Sequence, residues 1–163
     1  MEAKDHFRIA ASALGRWAIM QLQDSLIVGL LWLVGLWSIR VPWAPLWALL
    51  AAVLQVVPHF GPILGMIGPV LAAGVAWRDV RHPLFVLLLY VIVVLVDGLA
   101  LQPYLMQRVA RVPIWASILA PIVLGFLIPF WGVLLAPPLL AVIYAFRAHW
   151  DSKSRRFAAE RTP

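Results

Sequence analysis

The sequence predicts an all-α integral membrane protein in which one unit, a transmembrane helix followed by a broken, re-entrant helical hairpin, is used twice. Three observations predict it. First, 64% of the 163 residues are hydrophobic and only 12% are charged, with a mean hydropathy of +0.94. A soluble domain carries about 25% charged residues, so this chain has too few to cover a water-facing surface. Second, the apolar residues fall into four long runs separated by short polar stretches. Third, two of those runs are broken near their middle by proline and glycine, and the breaks fall at matching positions. The chain has no cysteine, which removes disulfides and thiolate metal sites.

The elements follow in order. Residues 1–16 carry Lys4, Arg8 and Arg16 and are expected on the cytoplasmic side. Residues 17–39 form a transmembrane helix; at 1.5 Å per residue they span about 34 Å, enough for a bilayer core of about 30 Å. A cleaved leader is not expected, because the run ends in Trp37-Ser38-Ile39-Arg40 without a small-x-small site. Residues 41–77 contain no formal charge, and as one straight helix they would be about 55 Å long, too long for one crossing. They break at Pro58-His59-Phe60-Gly61-Pro62. Proline removes a helical donor and glycine tolerates a tight reversal. Residues 84–106 form a second transmembrane helix. Residues 112–146 repeat the uncharged, broken pattern, with the break at Pro129-Phe130-Trp131-Gly132. The arms beside each break hold about 15–17 residues, roughly 22–26 Å. Such arms suit a hairpin that turns back inside the membrane, where protein or water satisfies its freed backbone groups. Residues 147–163 form a basic cytoplasmic tail.

The two broken runs look like copies. Arg40-Val41-Pro42 opens one and Arg111-Val112-Pro113 the other; Pro58 matches Pro129, Gly61 matches Gly132, and Arg78 and Arg147 close them. Paired interrupted segments in two halves are a sequence pointer to a transporter binding site. Charge leaves the topology open. With re-entrant hairpins the repeats are inverted, and Arg40, Arg78 and Arg81 lie outside; with single crossings they are parallel, and Arg40, Arg108 and Arg111 lie outside. Both arrangements place ten basic residues inside and three outside, so the positive-inside rule does not choose. The short arms favour inversion, with both termini cytoplasmic. The net charge of +6 fits basic flanks beside an anionic leaflet rather than nucleic acid, since no basic stripe interleaves with aromatics.

Several residues are candidates for chemistry. Asp97 lies inside the third run, close to Gln102 and Pro103. A carboxylate within a membrane segment is costly, so it is either functional or paired to lock the bundle. Asp24, with Gln21 and Gln23, is expected near the interface in contact with water. Gln55 precedes the first break and faces the hairpin interior, where an amide bonds freed carbonyls or a solute. His59 in the break either shuttles protons or caps backbone groups. Trp17, Trp43, Trp77, Trp115 and Trp150 fall near span ends, as an interfacial belt requires. Trp131 sits at the second break instead. No nucleophile elbow, phosphate loop or metal-ligand spacing occurs, so neither an enzyme nor a cofactor or metal is expected.

These segments resemble a known family. Leu54-Gln55-Val56-Val57-Pro58-His59-Phe60-Gly61-Pro62-Ile63-Leu64-Gly65 is similar to the N-x-I-P-Y-x-G-P-I segment of the autoinducer-2 exporter family, the PerM-like permeases. Asp97-Gly98-Leu99-Ala100-Leu101-Gln102-Pro103 resembles its E-G-N-x-L-Q-P, and Gly132-Val133-Leu134-Leu135-Ala136-Pro137-Pro138 its G-x-L-L-A-V-P. The resemblance covers residues 12–147. It implies a bacterial inner-membrane, multi-pass, oligomeric carrier with inverted repeats, exporting a small polar signalling molecule or exchanging sodium for protons. Gln55 stands where the family has Asn, His59 where it has Tyr, Asp97 where it has Glu, Leu99 where it has Asn and Gln107 where Gly is common. Family chains have about twice as many residues, so this chain resembles the mobile, substrate-carrying half. It is then expected to form a homo-oligomer or to need a partner that supplies the N-terminal spans.

The expected function is transport of a small polar solute or ion, coupled to H+ or Na+. The expected site is Gln55, Pro58, His59, Gly61, Pro62, Asp97, Gln102, Pro129 and Gly132, formed where the two hairpin tips meet and half-helix ends offer free backbone groups. The alternative is a truncated, non-transporting membrane subunit.

Overall fold

The computed structural model describes residues 3–56 and 60–159. Seven α-helices and one π-helical turn account for the secondary structure among them: α1 (Ala3–Ser38), α2 (Ala44–Leu54), α3 (Phe60–Trp77), α4 (Arg81–Val96), the π turn (Asp97–Leu101), α5 (Gln102–Ala110), α6 (Ile114–Leu127) and α7 (Pro129–Ala159). No strand occurs among the described residues. Three helical stretches are long and apolar enough to cross a membrane: Lys4–Ser38, Arg81–Arg108 and Pro129–Ser152. The fold is all-α and of membrane type.

The chain divides into two compact units, one of Gln21–Gln102 and one of Met1–Met20 with Pro103–Pro163. In the first, a face of α1 carrying Val28, Trp32 and Leu36 joins a core with Ala44, Ala48 and Ala51 of α2, Ala73 of α3, and Val86 and Val93 of α4. Alanine and glycine fill the close approaches. A Cβ on Gly29 would stand 2.6 Å from Cβ of Ala52, and one on Gly65 3.2 Å from Cα of Ala51. In lipid, apolar side chains gain little by leaving their surroundings, so small residues that let backbones approach drive the packing. Apart from core residues such as Trp32 and Leu36, many large side chains point the other way: Leu30, Leu49, Leu71, Val75 and Leu88 are all exposed.

In this unit α2 and α3 form a helical hairpin. Gly61 meets Leu54, Gly65 meets Ala51 and Gly68 meets Trp47. As the number rises on one arm it falls on the other, so the arms are antiparallel. In the second unit α6 and α7 pack together, and Gly132 lies against the carbonyl of Leu124. The arms differ from the expected 15–17 residues. They hold 11 and 18 residues in the first hairpin and 14 and 31 in the second. The first arm is short because the backbone turns at Arg40 and Trp43, both with positive φ, before α2 begins. The second hairpin's outer arm is long because α7 runs on through Arg147 to Ala159.

The two openings share a device. Arg40 and Arg111 both adopt left-handed backbone, φ 61° and 55°, and each is followed by a buried valine, Val41 and Val112. After α1 the Arg40 N–H donates to Trp37 O at 3.0 Å and the Val41 N–H to Leu36 O at 3.0 Å. This is a Schellman closure, which usually has glycine at the left-handed position. Arginine there keeps a cation at the helix end, where it complements the dipole.

Candidate functional site

Five polar side chains of the first unit gather at the end of the α2 arm. Gln21, Asp24, Gln55 and Asp97 are each at most 4% exposed, and Gln102 is half-buried. Gln55 is the hub. It caps the C-terminus of α2, its backbone N–H returning to Ala51 O. Its side-chain Nε2 donates to Asp97 Oδ2 at 2.8 Å and to Asp24 Oδ2 at 3.2 Å. Its carbonyl, freed by the end of α2, accepts from Gln21 Nε2 at 2.8 Å. Gln102 Nε2 donates to the same Asp97 oxygen at 3.1 Å. Gln55 Oε1 and Asp24 Oδ1 are buried and receive no hydrogen bond.

Local geometry explains the convergence. On α1, Gln21, Asp24, Val28, Trp32 and Leu36 follow a three- and four-residue spacing and are all buried. They form one stripe, polar at its start and apolar beyond. Asp97 and Gln102 are five apart. In an α-helix residues five apart diverge by about 140°. The π turn widens the helix and joins Gln102 N–H to Asp97 O, which brings both side chains to one face. Pro103 gives the reason for the turn: it has no N–H for the carbonyl four residues back, so the ladder reorganises just before it.

Because one amide nitrogen reaches both carboxylates, Asp24 Oδ2 and Asp97 Oδ2 lie within about 6 Å of each other. Two ionised carboxylates at that separation repel by roughly 3 kcal/mol at an effective dielectric constant of about 20. Burial adds several kcal/mol per ion. The amides offset part of this, since hydrogen bonds to charged acceptors are each worth about 1.5–3 kcal/mol.

Of the residues expected from sequence, Gln55, Asp97 and Gln102 meet here. Gly61 meets the knot's backbone: a Cβ there would overlap the Leu54 carbonyl and approach Cα of Gln55 to 2.6 Å. Pro62 follows it and is buried. Pro58 and His59 lie outside the described residues. Pro129 and Gly132 form the corresponding turn of the other unit, where Phe130 and Trp131 meet edge to face at 5.0 Å. The expectation that Asp24 is solvated is corrected, since it is fully buried. Its depth follows from the face of α1 it shares with Trp32, and the spacing of Gln21, Asp24, Ser25 and Val28 was the signal for it.

Outside the spans, Asp79 accepts from the His82 backbone N–H at 3.1 Å and faces His82 Nδ1 at 2.8 Å. The His82 ring stacks on Trp77 at 4.3 Å. The side-chain hydrogen bond to His82, then the backbone one, holds the Asp79 carboxyl below the usual carboxylate range.

A helical bundle whose large apolar side chains face outward, with a polar knot at a helix break, defines a multi-pass membrane protein. The model of the AI-2E family transporters matches residues 1–152, and the chain belongs to this family. The family consists of transporters rather than enzymes. No curated protein and no solved structure matches the chain.

Proposed function

We propose that this chain moves a small polar solute or ion across the bacterial inner membrane, with both hairpins re-entrant and both termini cytoplasmic. One observation supports this above the others. Four buried polar side chains and a fifth, half-buried one gather at a helix break in a bundle whose core is otherwise apolar. Buried polar groups in a membrane segment are costly and are retained where a solute or ion must be received. The solute contacts are Gln55, Asp97 and Gln102 together with Pro58 and His59, and Gly61 and Pro62 stand beside them, where Gly61 lies against the Leu54 carbonyl. Pro129 and Gly132 serve the second hairpin. Movement of the bundle against a scaffold, from further copies or from a partner with additional spans, alternates access.

The test is reconstitution into proteoliposomes on a capacitive electrode, challenged with a panel of charged polar solutes and with Na+ and H+ gradients. Wild type gives transient currents and Asp97→Asn abolishes them while keeping the wild-type elution profile and helicity. Currents unchanged in Asp97→Asn would remove the site. No current with any probe would favour a non-transporting subunit.

A further inference from the structure

We propose that the cleft at the corner between α1 and α2, bounded by Trp37, Arg40 and Trp43, binds the phosphate of one anionic phospholipid. The cleft stands at the opposite end of α2 from Gln55, 11 residues or about 16 Å away. Its occupancy does not depend on what the polar knot carries.

Three observations carry it. The first is a cavity. An open cleft of about 280 Å³ is lined by Trp37, Arg40, Val41, Trp43, Ala44 and Pro45. The part of α1 that is long and apolar enough to cross a membrane ends at Ser38, so the cleft lies level with the headgroups of one leaflet. The second is strain. Among the described residues four other than glycine hold left-handed backbone, and two of them, Arg40 at φ 61° and Trp43 at φ 62°, line this cleft. For a bulky side chain such backbone is an outlier, and outliers of this kind gather at binding sites. The core does not impose it, since Trp37 and Trp43 are 66% and 75% exposed. The third is charge. Arg40 has no ion pair among the described residues; the salt bridge of this unit joins His82 to Asp79. No acidic residue occurs in the sequence between Asp24 and Asp79. The start of α2 adds partial positive charge, and its cap, Trp43, gives it no side-chain hydrogen bond.

The corner is held rigid. The Arg40 and Val41 N–H groups donate to Trp37 O and Leu36 O, and Trp47 Nε1 donates to Pro42 O at 3.1 Å. The guanidinium and the two indoles therefore stand on fixed backbone. A guanidinium fork matches two phosphate oxygens. Exposed indoles beside it favour a lipid over free phosphate, because amphipathic rings sit at headgroup level against glycerol and the first acyl carbons. A zwitterionic headgroup would bring its own ammonium close to the guanidinium, so the net charge favours an anionic one.

The test uses the full chain, stripped of lipid in a neutral detergent. Native mass spectrometry counts bound lipid, and thermal unfolding reads its effect. The probes are phosphatidylglycerol, phosphatidylcholine with the same acyl chains, and inorganic phosphate. One phosphatidylglycerol per chain binds and raises the melting temperature. Phosphatidylcholine binds at least about tenfold more weakly, and inorganic phosphate neither raises the melting temperature nor displaces the lipid. Arg40→Gln weakens phosphatidylglycerol binding about 10–100-fold, as loss of a charge-assisted pair does. Trp43→Leu weakens it less. Arg111→Gln leaves it unchanged, because at that matching corner Arg108 and Ile114 stand in the places of Trp37 and Trp43. Arg40→Gly guards against misfolding: with the left-handed strain relieved it melts no lower than wild type without lipid, yet gains nothing from phosphatidylglycerol. Equal losses in Arg40→Gln and Arg111→Gln would reduce the binding to a general attraction of basic side chains and overturn the site. So would phosphatidylcholine bound as tightly, phosphatidylglycerol bound undiminished by Arg40→Gly, or inorganic phosphate displacing the lipid.

Discussion

The two hairpins use one backbone design for different chemistry. Both open on a left-handed arginine followed by a buried valine, and both close on a glycine lying against the carbonyl of the opposite arm. At the turn they diverge. The α2–α3 hairpin ends in Gln55, bonded to two carboxylates. The α6–α7 hairpin ends in Phe130 and Trp131, both exposed, and α6 and α7 contain no acidic or basic side chain before Arg147. A repeat therefore keeps what backbone sterics demand and frees the side chains beyond it. The glycine is fixed by space, and the residue before the turn is open to function.

The largest effects test whether the hairpins share that geometry. Gly61→Ala and Gly132→Ala each place a methyl group in the opposite backbone and destabilise by about 1–3 kcal/mol, read from thermal unfolding in detergent. A neutral Gly132→Ala beside a costly Gly61→Ala would break the equivalence.

Chemistry comes next. Gln55→Ala strips the shared donor from two buried carboxylates and costs roughly 1–3 kcal/mol. Trp131→Ala, at an exposed site, stays within about 0.5 kcal/mol. Equal losses would mean that the polar knot is no more than ordinary packing.

A smaller effect concerns the openings. Left-handed backbone costs a non-glycine residue about 1–2 kcal/mol, partly offset because glycine loses more entropy on folding. Arg40→Gly and Arg111→Gly each stabilise by roughly 0.5 kcal/mol, seen as a small rise in melting temperature. A fall in both would mean that the guanidinium itself holds the corner.

The smallest effect lies outside the hairpins, between α3 and α4. The Asp79 carboxyl sits below its usual range. Its contribution is therefore fully present above about pH 3.9 and fades as pH falls through the lowered value. Asp79→Ala speeds amide exchange at His82 at neutral pH and removes the acid dependence of that exchange. Exchange unchanged in the variant would show that the Trp77 stack alone orders the loop.

Much of this was legible in the sequence, for physical reasons that can be named. The helical class follows from composition, because lipid leaves the backbone few options. The breaks follow from proline and glycine, and Gln55 and Asp97 from being polar where neighbours are not. The depth of Asp24 is not legible from its place along the run; it follows from the helix stripe it shares with Trp32. Arm lengths are not legible because apolar runs do not mark where α7 stops; polar residues after Arg147 continue the helix. The left-handed arginines had no local signal, since glycine usually occupies such corners. The π turn had one, Pro103, but a proline reports that the ladder must yield, not how.

That turn makes the rod from Arg81 to Ala110 a helix with a phase change inside it. Deleting Gly98 would heal the ladder into one uniform spiral and leave Asp97 and Gln102 four apart, still on one face. Straightening the ladder with every residue kept would instead leave them five apart, about 140° out of phase. The partnership between those two side chains is thus written in a count of residues: five across the wide turn stand in for four in an ordinary helix.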